Sequence, residues 1–204
     1  NQIVDSAVKH SVPSVALTDR SNMFGLVKFF NKCESSGIKP ISGSSIRVAF
    51  EEDEQSHELL CLAKTNKGHK NLMKIISSAH NNYNYQTPII DFKDLEYLKD
   101  EIIVISGGKD SHIFDLLKRH KIDEAEKRVD QFLTVFKDDF VLEVQKTNRA
   151  DEYDYFSNIA PLSSKKGVPL IATNDVLFAE SKDFDTHETK VCINTGKTLN
   201  DPNR

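Results

Sequence analysis

The segment "GIKPISGSSIRVAF" (residues 37–50) decides the fold class, because it shows a helix ending and a strand beginning within a few residues. Gly37 is the residue type that most readily adopts the left-handed backbone at a helix C-terminus, and Pro40 stands at the start of an apolar, β-branched run. A second segment, "GVPLIAT" (167–173), repeats the order of glycine, proline and strand. The two junctions indicate that helices and strands alternate along the chain.

The rest of the sequence continues this alternation. Short apolar runs predict six strands, at residues 14–18, 39–50, 59–63, 102–106, 140–144 and 169–173. Longer patterns predict five helices, at residues 23–35, 67–81, 111–119, 123–136 and 151–166. The acidic segment 51–58 predicts a surface hairpin or loop. Alternation of this kind is typical of an open parallel sheet or an α/β barrel, in which ligands bind at the C-terminal ends of the strands.

Composition limits the possible functions. The chain has 204 residues, 38% of them hydrophobic, which predicts one sizeable core. Its 27 basic and 31 acidic residues give a net charge of −4, which argues against a segment whose main task is to bind a phosphate backbone. Three widely spaced cysteines favour a reducing compartment, and apolar runs too short to cross a bilayer exclude a membrane role, so we expect a cytoplasmic protein.

The predicted strand ends carry few groups that could hold a metal ion. Asp19 and Asp175 are the two carboxylates there, and a role in a turn or a helix cap explains either one alone. Arg20 could pair with them and so form an ion pair in place of a metal site. His57 could face the same end, but a histidine beside an acidic loop favours a solvated position. The sequence has no paired-histidine, phosphate-loop or nucleophile motif.

Several ordered segments resemble the PHP (polymerase and histidinol phosphatase) domain found at the N-terminus of bacterial replicative DNA polymerase III alpha subunits. The segments are "VPSVALTDRSNMFGLVKFF" (12–30), "GIKPISGSSIRVA" (37–49), "VISGGK" (104–109), "PLIATNDVLF" (169–178) and "DFDTHETKVCINTGKTLNDPNR" (183–204). The resemblance implies a distorted seven-stranded (β/α) barrel of mostly parallel strands with outer helices. It also implies that residues 1–204 form a single PHP domain that lacks the family's first His-x-His motif at its N-terminus, as a fragment of a longer protein.

The resemblance also implies where metal ligands stand in other members of the family. The positions that match those ligands are Asp19, Arg20, Ser45, Glu58, Gly108, Asp175 and Leu177. Only Asp19, Asp175 and Glu58 are carboxylates, while a serine, a glycine and a leucine cannot replace anionic or imidazole ligands. We therefore expect a vestigial site that has no catalytic residue and binds no metal, in which the Arg20 guanidinium replaces the cation between Asp19 and Asp175.

The function implied by this resemblance is that of a scaffold. The parent protein would be the DNA-directed DNA polymerase of chromosomal replication, with Mg in a separate polymerase domain and no cofactor in this segment. Expected partners are the proofreading exonuclease subunit and other holoenzyme subunits, with DNA bound through other domains and no membrane. A residual metal-dependent phosphoesterase or 3′-5′ exonuclease is the alternative, and a stand-alone barrel that binds a small molecule is a third possibility.

Overall fold

The computed structural model describes residues 2–51, 55–82, 86–147 and 152–201. Seven strands form one sheet: β1 (Ser14–Leu17), β2 (Lys39–Ala49), β3 (Ser56–Ala63), β4 (Ile90–Asp91), β5 (Ile102–Ile105), β6 (Phe140–Gln145) and β7 (Leu170–Thr173). The helices are α1 (Gln2–Lys9), α2 (Leu26–Ser35), α3 (Asn66–Asn81), α4 (Phe92–Tyr97), α5 (His112–Lys118), α6 (Ile122–Phe136), α7 (Glu152–Lys166) and α8 (Phe184–Thr195). Short 3-10 helices occur at Lys137–Asp139 and Ser181–Asp183.

Strands follow the order β1-β2-β3-β5-β6-β7 across the sheet, and β4 pairs with β2. Four pairings are parallel, namely β1 with β2, β2 with β4, β5 with β6, and β6 with β7. The mostly parallel α/β architecture predicted from the sequence is therefore confirmed. Strand β3 is the exception, since it runs antiparallel to both β2 and β5. It returns from β2 through the acidic segment, of which residues 52–54 lie outside the described residues.

The predicted helix-to-strand junctions are present. Gly37 and Gly167 follow α2 and α7 with φ of +70° and +67°, the left-handed conformation that favours glycine. At the other end of the helices, the Thr65 hydroxyl accepts a hydrogen bond from the Gly68 N–H at the start of α3, and Ser111 caps α5 in the same way. The helix predicted to begin at Asp151 is described from Glu152, since Asp151 lies outside the described residues.

The main core lies between one face of the sheet and the helices that cover it. Its strand residues alternate along β2, β3 and β6, so that Ile46, Val48, Leu59, Cys61 and Leu142 point to the same side. Helices α3, α5, α6 and α7 close over this face. A smaller cluster, with Val4 and Ala7 from α1 and Phe29 and Cys33 from α2, packs beside β1. The opposite side chains of the same strands face the cleft described next.

Candidate functional site

A cleft with a volume of about 530 Å³ opens at one end of the sheet. The segments that follow β1, β5 and β7 reach it, as do side chains from β2, β3 and β6. All the positions that the sequence assigned to a vestigial site line this cleft: Asp19, Arg20, Ser45, Glu58, Gly108, Asp175 and Leu177. The structure therefore brings together residues that are up to 158 positions apart in the sequence (177 − 19).

Strand alternation separates Glu58 from its neighbour His57. Glu58 points into the cleft, whereas His57 points into the core with only 6% of its surface exposed. The His57 ring stacks on the His112 ring with 4.3 Å between centroids. The expectation that His57 is a solvated surface residue is therefore wrong, because β3 extends to Ser56 and places His57 on its buried face.

Arg20 lies at the mouth of the cleft and contacts two carboxylates. Its Nε is 3.6 Å from Glu58 Oε2 and its Nη2 is 3.6 Å from Asp110 Oδ2, while 70% of its side chain is exposed. The backbone holds it in place, because Arg20 forms a parallel bridge with Ser45 and the Ser45 N–H donates to Asp19 O. The predicted pairing of Arg20 with Asp19 and Asp175 is therefore wrong, since the structure gives it other partners.

A second cation, which the sequence analysis missed, neutralises Asp175. Lys109 Nζ lies 3.2 Å from Asp175 Oδ2, and about two thirds of each side chain is buried. Lys109 follows the Gly107-Gly108 turn, where Gly107 has a φ of +78°. Two cations from separate loops thus pair with three carboxylates around the cleft.

A buried polar network forms the floor of the cleft. The Glu143 side chain accepts hydrogen bonds from the Gln145 Nε2 at 3.1 Å and from the Thr173 hydroxyl, while its own N–H donates to Ser106 Oγ at 3.0 Å. Glu143 is only 2% exposed, and burial raises the pKa of its carboxyl; the hydrogen bonds from Thr173 and Gln145 oppose this shift, and the nearby Glu58 and Asp175 charges add to it. This residue was not among those predicted from the sequence.

Gln145 also fills the space beside Gly108. A Cβ atom placed on Gly108 would lie 2.2 Å from Gln145 Oε1, which is closer than atoms in contact can approach. The resemblance implies that other members of the family carry a metal ligand at this position. The present arrangement leaves no room for such a side chain unless Gln145 moves.

The family model described as "PHP domain" matches residues 1–147, from α1 through β6. The chain belongs to the PHP domain family. This result confirms the resemblance found in the sequence.

Curated relatives carry the name DNA polymerase III subunit alpha. The PHP domain is 38% identical to the protein of Pseudomonas aeruginosa over 95% of the chain, and 38% identical to that of Escherichia coli K12 over 99%. The relative from Vibrio cholerae is 36% identical over 99% of the chain. The chain spans less than a fifth of the length of these relatives, between 17% and 18%.

Solved structures support the fold of this PHP domain. A structure described as a putative metal-dependent phosphoesterase from Bifidobacterium adolescentis has a TM-score of 0.58 at 12% identity and covers 88% of this chain and 82% of its own. An amidohydrolase from Chromobacterium violaceum has a TM-score of 0.50 at 12% identity, covering 89% of this chain and 82% of its own. At this level of identity the similarity concerns the fold alone.

The cleft residues do not fit the metal cluster that the family implies. Within the described ranges no three side chains of His, Cys, Asp or Glu converge closely enough to hold an ion. Two of the carboxylates that could serve, Glu58 and Asp175, are already paired with Arg20 and Lys109. A hydroxyl, a glycine and an alkyl group stand at Ser45, Gly108 and Leu177. The charged side chains around the cleft therefore form an ion-pair network and not a set of metal ligands.

Proposed function

We propose that this chain is the PHP domain of a bacterial DNA polymerase III alpha subunit and that it acts as a non-hydrolytic scaffold. The proposal treats residues 1–204 as one domain, which is supported by the pairing of β6 with β7 on either side of the end of the family match. Similarity to alpha subunits over 99% of the chain supports the proposal. The parent protein is then a DNA-directed DNA polymerase, whose catalytic residues and Mg ions belong to other domains.

The ion-pair network in the cleft is the observation that carries the scaffold role. Arg20 and Lys109 supply positive charge among Glu58, Asp110 and Asp175, where a metal-dependent member would supply it from bound cations. Fixed side chains thus balance the carboxylate charges without an exchangeable ion. They cannot activate water as a bound metal does.

The partner that fits this role is the proofreading exonuclease subunit of the same replicase, together with other holoenzyme subunits. The support is the similarity to alpha subunits, which work in a replicative assembly. To test it, full-length alpha subunit and a version that lacks residues 1–204 are each mixed with the purified exonuclease subunit in sedimentation experiments. We expect a complex only with the full-length protein. Equal binding by both versions would show that the exonuclease docks elsewhere.

Metal content tests the loss of hydrolytic function. The full-length protein, purified without chelator, should contain less than about 0.1 ion of Zn or Mn per chain and should not hydrolyse p-nitrophenyl phosphate or a 3′-labelled oligonucleotide. The alternative is a residual phosphoesterase or 3′-5′ exonuclease, which is favoured by the presence of Asp19, Glu143 and Asp175 in one cleft. Stoichiometric metal and hydrolysis, both lost on Asp19→Asn or Asp175→Asn substitution, would establish that alternative.

A further inference from the structure

A groove with a volume of about 520 Å³ lies outside the cleft, between the Ser21–Phe24 loop and α3. Its apolar lining comes from Met23 and Phe24 on the loop and from Met73 and Ile76 on the helix. Phe24 is 90% exposed and Met73 is 43% exposed. An aromatic ring that is almost fully in water, beside flexible methionines, is typical of a surface that binds another molecule.

The loop that carries Phe24 is held in a defined conformation. Asn22 donates from its side chain to Arg20 O at 2.9 Å and accepts from the Phe24 N–H at 3.1 Å. His80 Nε2, at the far end of α3, donates to Ser21 O at 2.8 Å. Ser21 itself has a φ of +49°, which a non-glycine residue adopts only under such restraint. Because Phe24 is presented by an ordered loop, little conformational entropy is lost when a ligand binds it.

Helix α3, which forms one side of the groove, carries positive charge. Helix α3 contains three lysines and two histidines but no acidic residue, although the whole chain has a net charge of −4. Lys70 and Lys74 are exposed next to Met73, and Lys28 is exposed one helical turn after Phe24. Among the residues that the structure describes, these three lysines form no ion pair with a carboxylate. Their charge is available to a ligand.

We propose that this groove binds an acidic, amphipathic peptide segment of a partner protein. The lining along α3 extends from Met73 to Asn81, about 12 Å, which matches two turns of a bound helix with apolar side chains at positions i, i+3 or i+4, and i+7. The lysines would pair with carboxylates that flank these anchors. A single-stranded nucleic acid fits less well, since it requires several stacking rings and a continuous basic track, and the rings in the lining are those of Phe24 and of His80, which is hydrogen-bonded to Ser21 O.

The groove and the cleft are separate surfaces, so the inference does not depend on the proposed scaffold function. The proposed peptide binding can be tested with a display library of random peptides of about 16 residues, which is selected on the purified protein. We expect enriched peptides to be acidic, with large apolar residues at helical spacing. Their affinity should fall at least about tenfold for Phe24→Ser and for the double variant Lys70→Glu/Lys74→Glu, and it should fall with added salt.

Matched controls distinguish the groove from the rest of the surface. Tyr97→Ser removes another exposed aromatic residue, and Lys190→Glu reverses another exposed charge; neither should alter peptide affinity. Circular dichroism confirms that each variant is folded. The proposal is overturned if no acidic peptide is enriched, or if the enriched peptides bind the groove variants as tightly as the parent. It is also overturned if an oligothymidylate binds through the same residues more tightly than the peptides, or if Phe24→Ser converts a dimer into a monomer.

Discussion

Arg20 shows how a single side chain can occupy a ligand position and still contribute little to stability. It stands between β1 and α2 at the edge of the cleft, within 3.6 Å of two carboxylates, but most of its surface is in water. Ion pairs with this exposure gain little, because water screens the charges and the long side chain loses conformational entropy. Because Arg20 is exposed, its removal should have only a small effect on the free energy of unfolding.

The first prediction follows from that exposure. Arg20→Ala should lower the free energy of unfolding by no more than about 1 kcal/mol, which is a shift of about 2–4 °C in melting temperature for a chain of this size. Lys109→Ala should cost more, because its shorter contact with Asp175 is less exposed. Thermal unfolding measured by circular dichroism compares the two. A loss of more than 10 °C for Arg20→Ala would mean that the arginine holds the cleft together.

Glu143 gives a prediction about pH. Burial raises its pKa above the ordinary value of 4.5, so that over the interval above pH 4.5 the folded protein holds a proton that the unfolded chain releases. The contribution of Glu143 to the free energy of unfolding therefore falls as the pH rises through that interval. Glu143→Gln keeps the shape but does not ionise, so the stability of the variant relative to the parent should increase as the pH rises from about 4.5 to 8.

Glu126 provides a control in which the pH dependence of stability has the opposite sign. A hydrogen bond from Lys165, at 2.5 Å, lowers the pKa of the Glu126 carboxyl below 4.5, so its contribution is present above pH 4.5 and is lost as the pH falls through the lowered value. Glu126→Gln should therefore lose stability relative to the parent as the pH rises. Urea unfolding at a series of pH values measures both differences, and parallel curves for the two variants would contradict the assignment.

Cleft residues could be predicted from the sequence where a local pattern identifies them. Asp19 and Asp175 each stand one or two polar residues after an apolar run, and their position at the strand ends is evident from the sequence. Glu143 is different, because its burial depends on Gln145 and Thr173, the latter 30 residues away and on another strand. Lys109 is likewise far from Asp175 in sequence. The one available signal was that Glu143 and Gln145 alternate with apolar residues in β6 and therefore share a face.

At the scale of single elements, α3 is fixed by close contact with the chain that enters β5. Gly68 in its first turn is buried, and a Cβ atom there would lie 1.9 Å from the backbone oxygen of Glu101. That oxygen also accepts a hydrogen bond from Lys64 N–H at 2.9 Å. The close approach requires a residue without a side chain at this point of the helix.

Gly68→Ala should therefore destabilise the protein by about 1–3 kcal/mol, although alanine has the higher helix propensity. Ser77→Ala, on the exposed side of the same helix, should be neutral or slightly stabilising, by a few tenths of a kcal/mol. Chemical denaturation of the two variants checks the contrast. A stabilised Gly68→Ala variant would show that α3 can move away from Glu101.

Most of the strands and helices were predicted from the sequence, whereas α1, α4, α8 and β4 were not. All six strand patterns correspond to strands, with ends that differ by up to three residues, since each carries several apolar residues in one run. The two-residue strand β4 and the six-residue helix α4 are too short to show a period. Helix α8 buries only Cys192, so its sequence has no apolar face to detect. The antiparallel pairing of β3 with β2 agrees with the hairpin alternative for the acidic segment, whereas its pairing with β5 joins distant segments and is not encoded by the local sequence.

At the scale of the molecule, two apolar clusters of unequal size occur among the residues that the structure describes. The main core joins most of the strands and the five helices α3 to α7, whereas the small cluster ties α1 and α2 to β1 and contains five buried residues. No helix in the described ranges is long and apolar enough to span a membrane. Regions with few buried contacts open at lower free energy than the core.

Hydrogen exchange should reveal this difference. Amides of α1 and α8 should exchange fastest among the helices, those of β1 at an intermediate rate, and those of β5 and β6, which lie inside the sheet, slowest. Mass spectrometry of peptic fragments after timed exchange in D₂O provides the measurement. If α1 and β5 exchanged at the same rate under native conditions, the two clusters would unfold as one cooperative unit.

The contact between Gly108 and Gln145 couples these two positions. A side chain introduced at position 108 meets the end of the flexible Gln145 side chain, so any residue larger than glycine requires Gln145 to turn away. Gln145 is anchored by its hydrogen bonds to Glu143 and Thr173, and moving it leaves buried polar groups unsatisfied. Substitutions at positions 108 and 145 are therefore expected to be non-additive, because each changes the cost of the other.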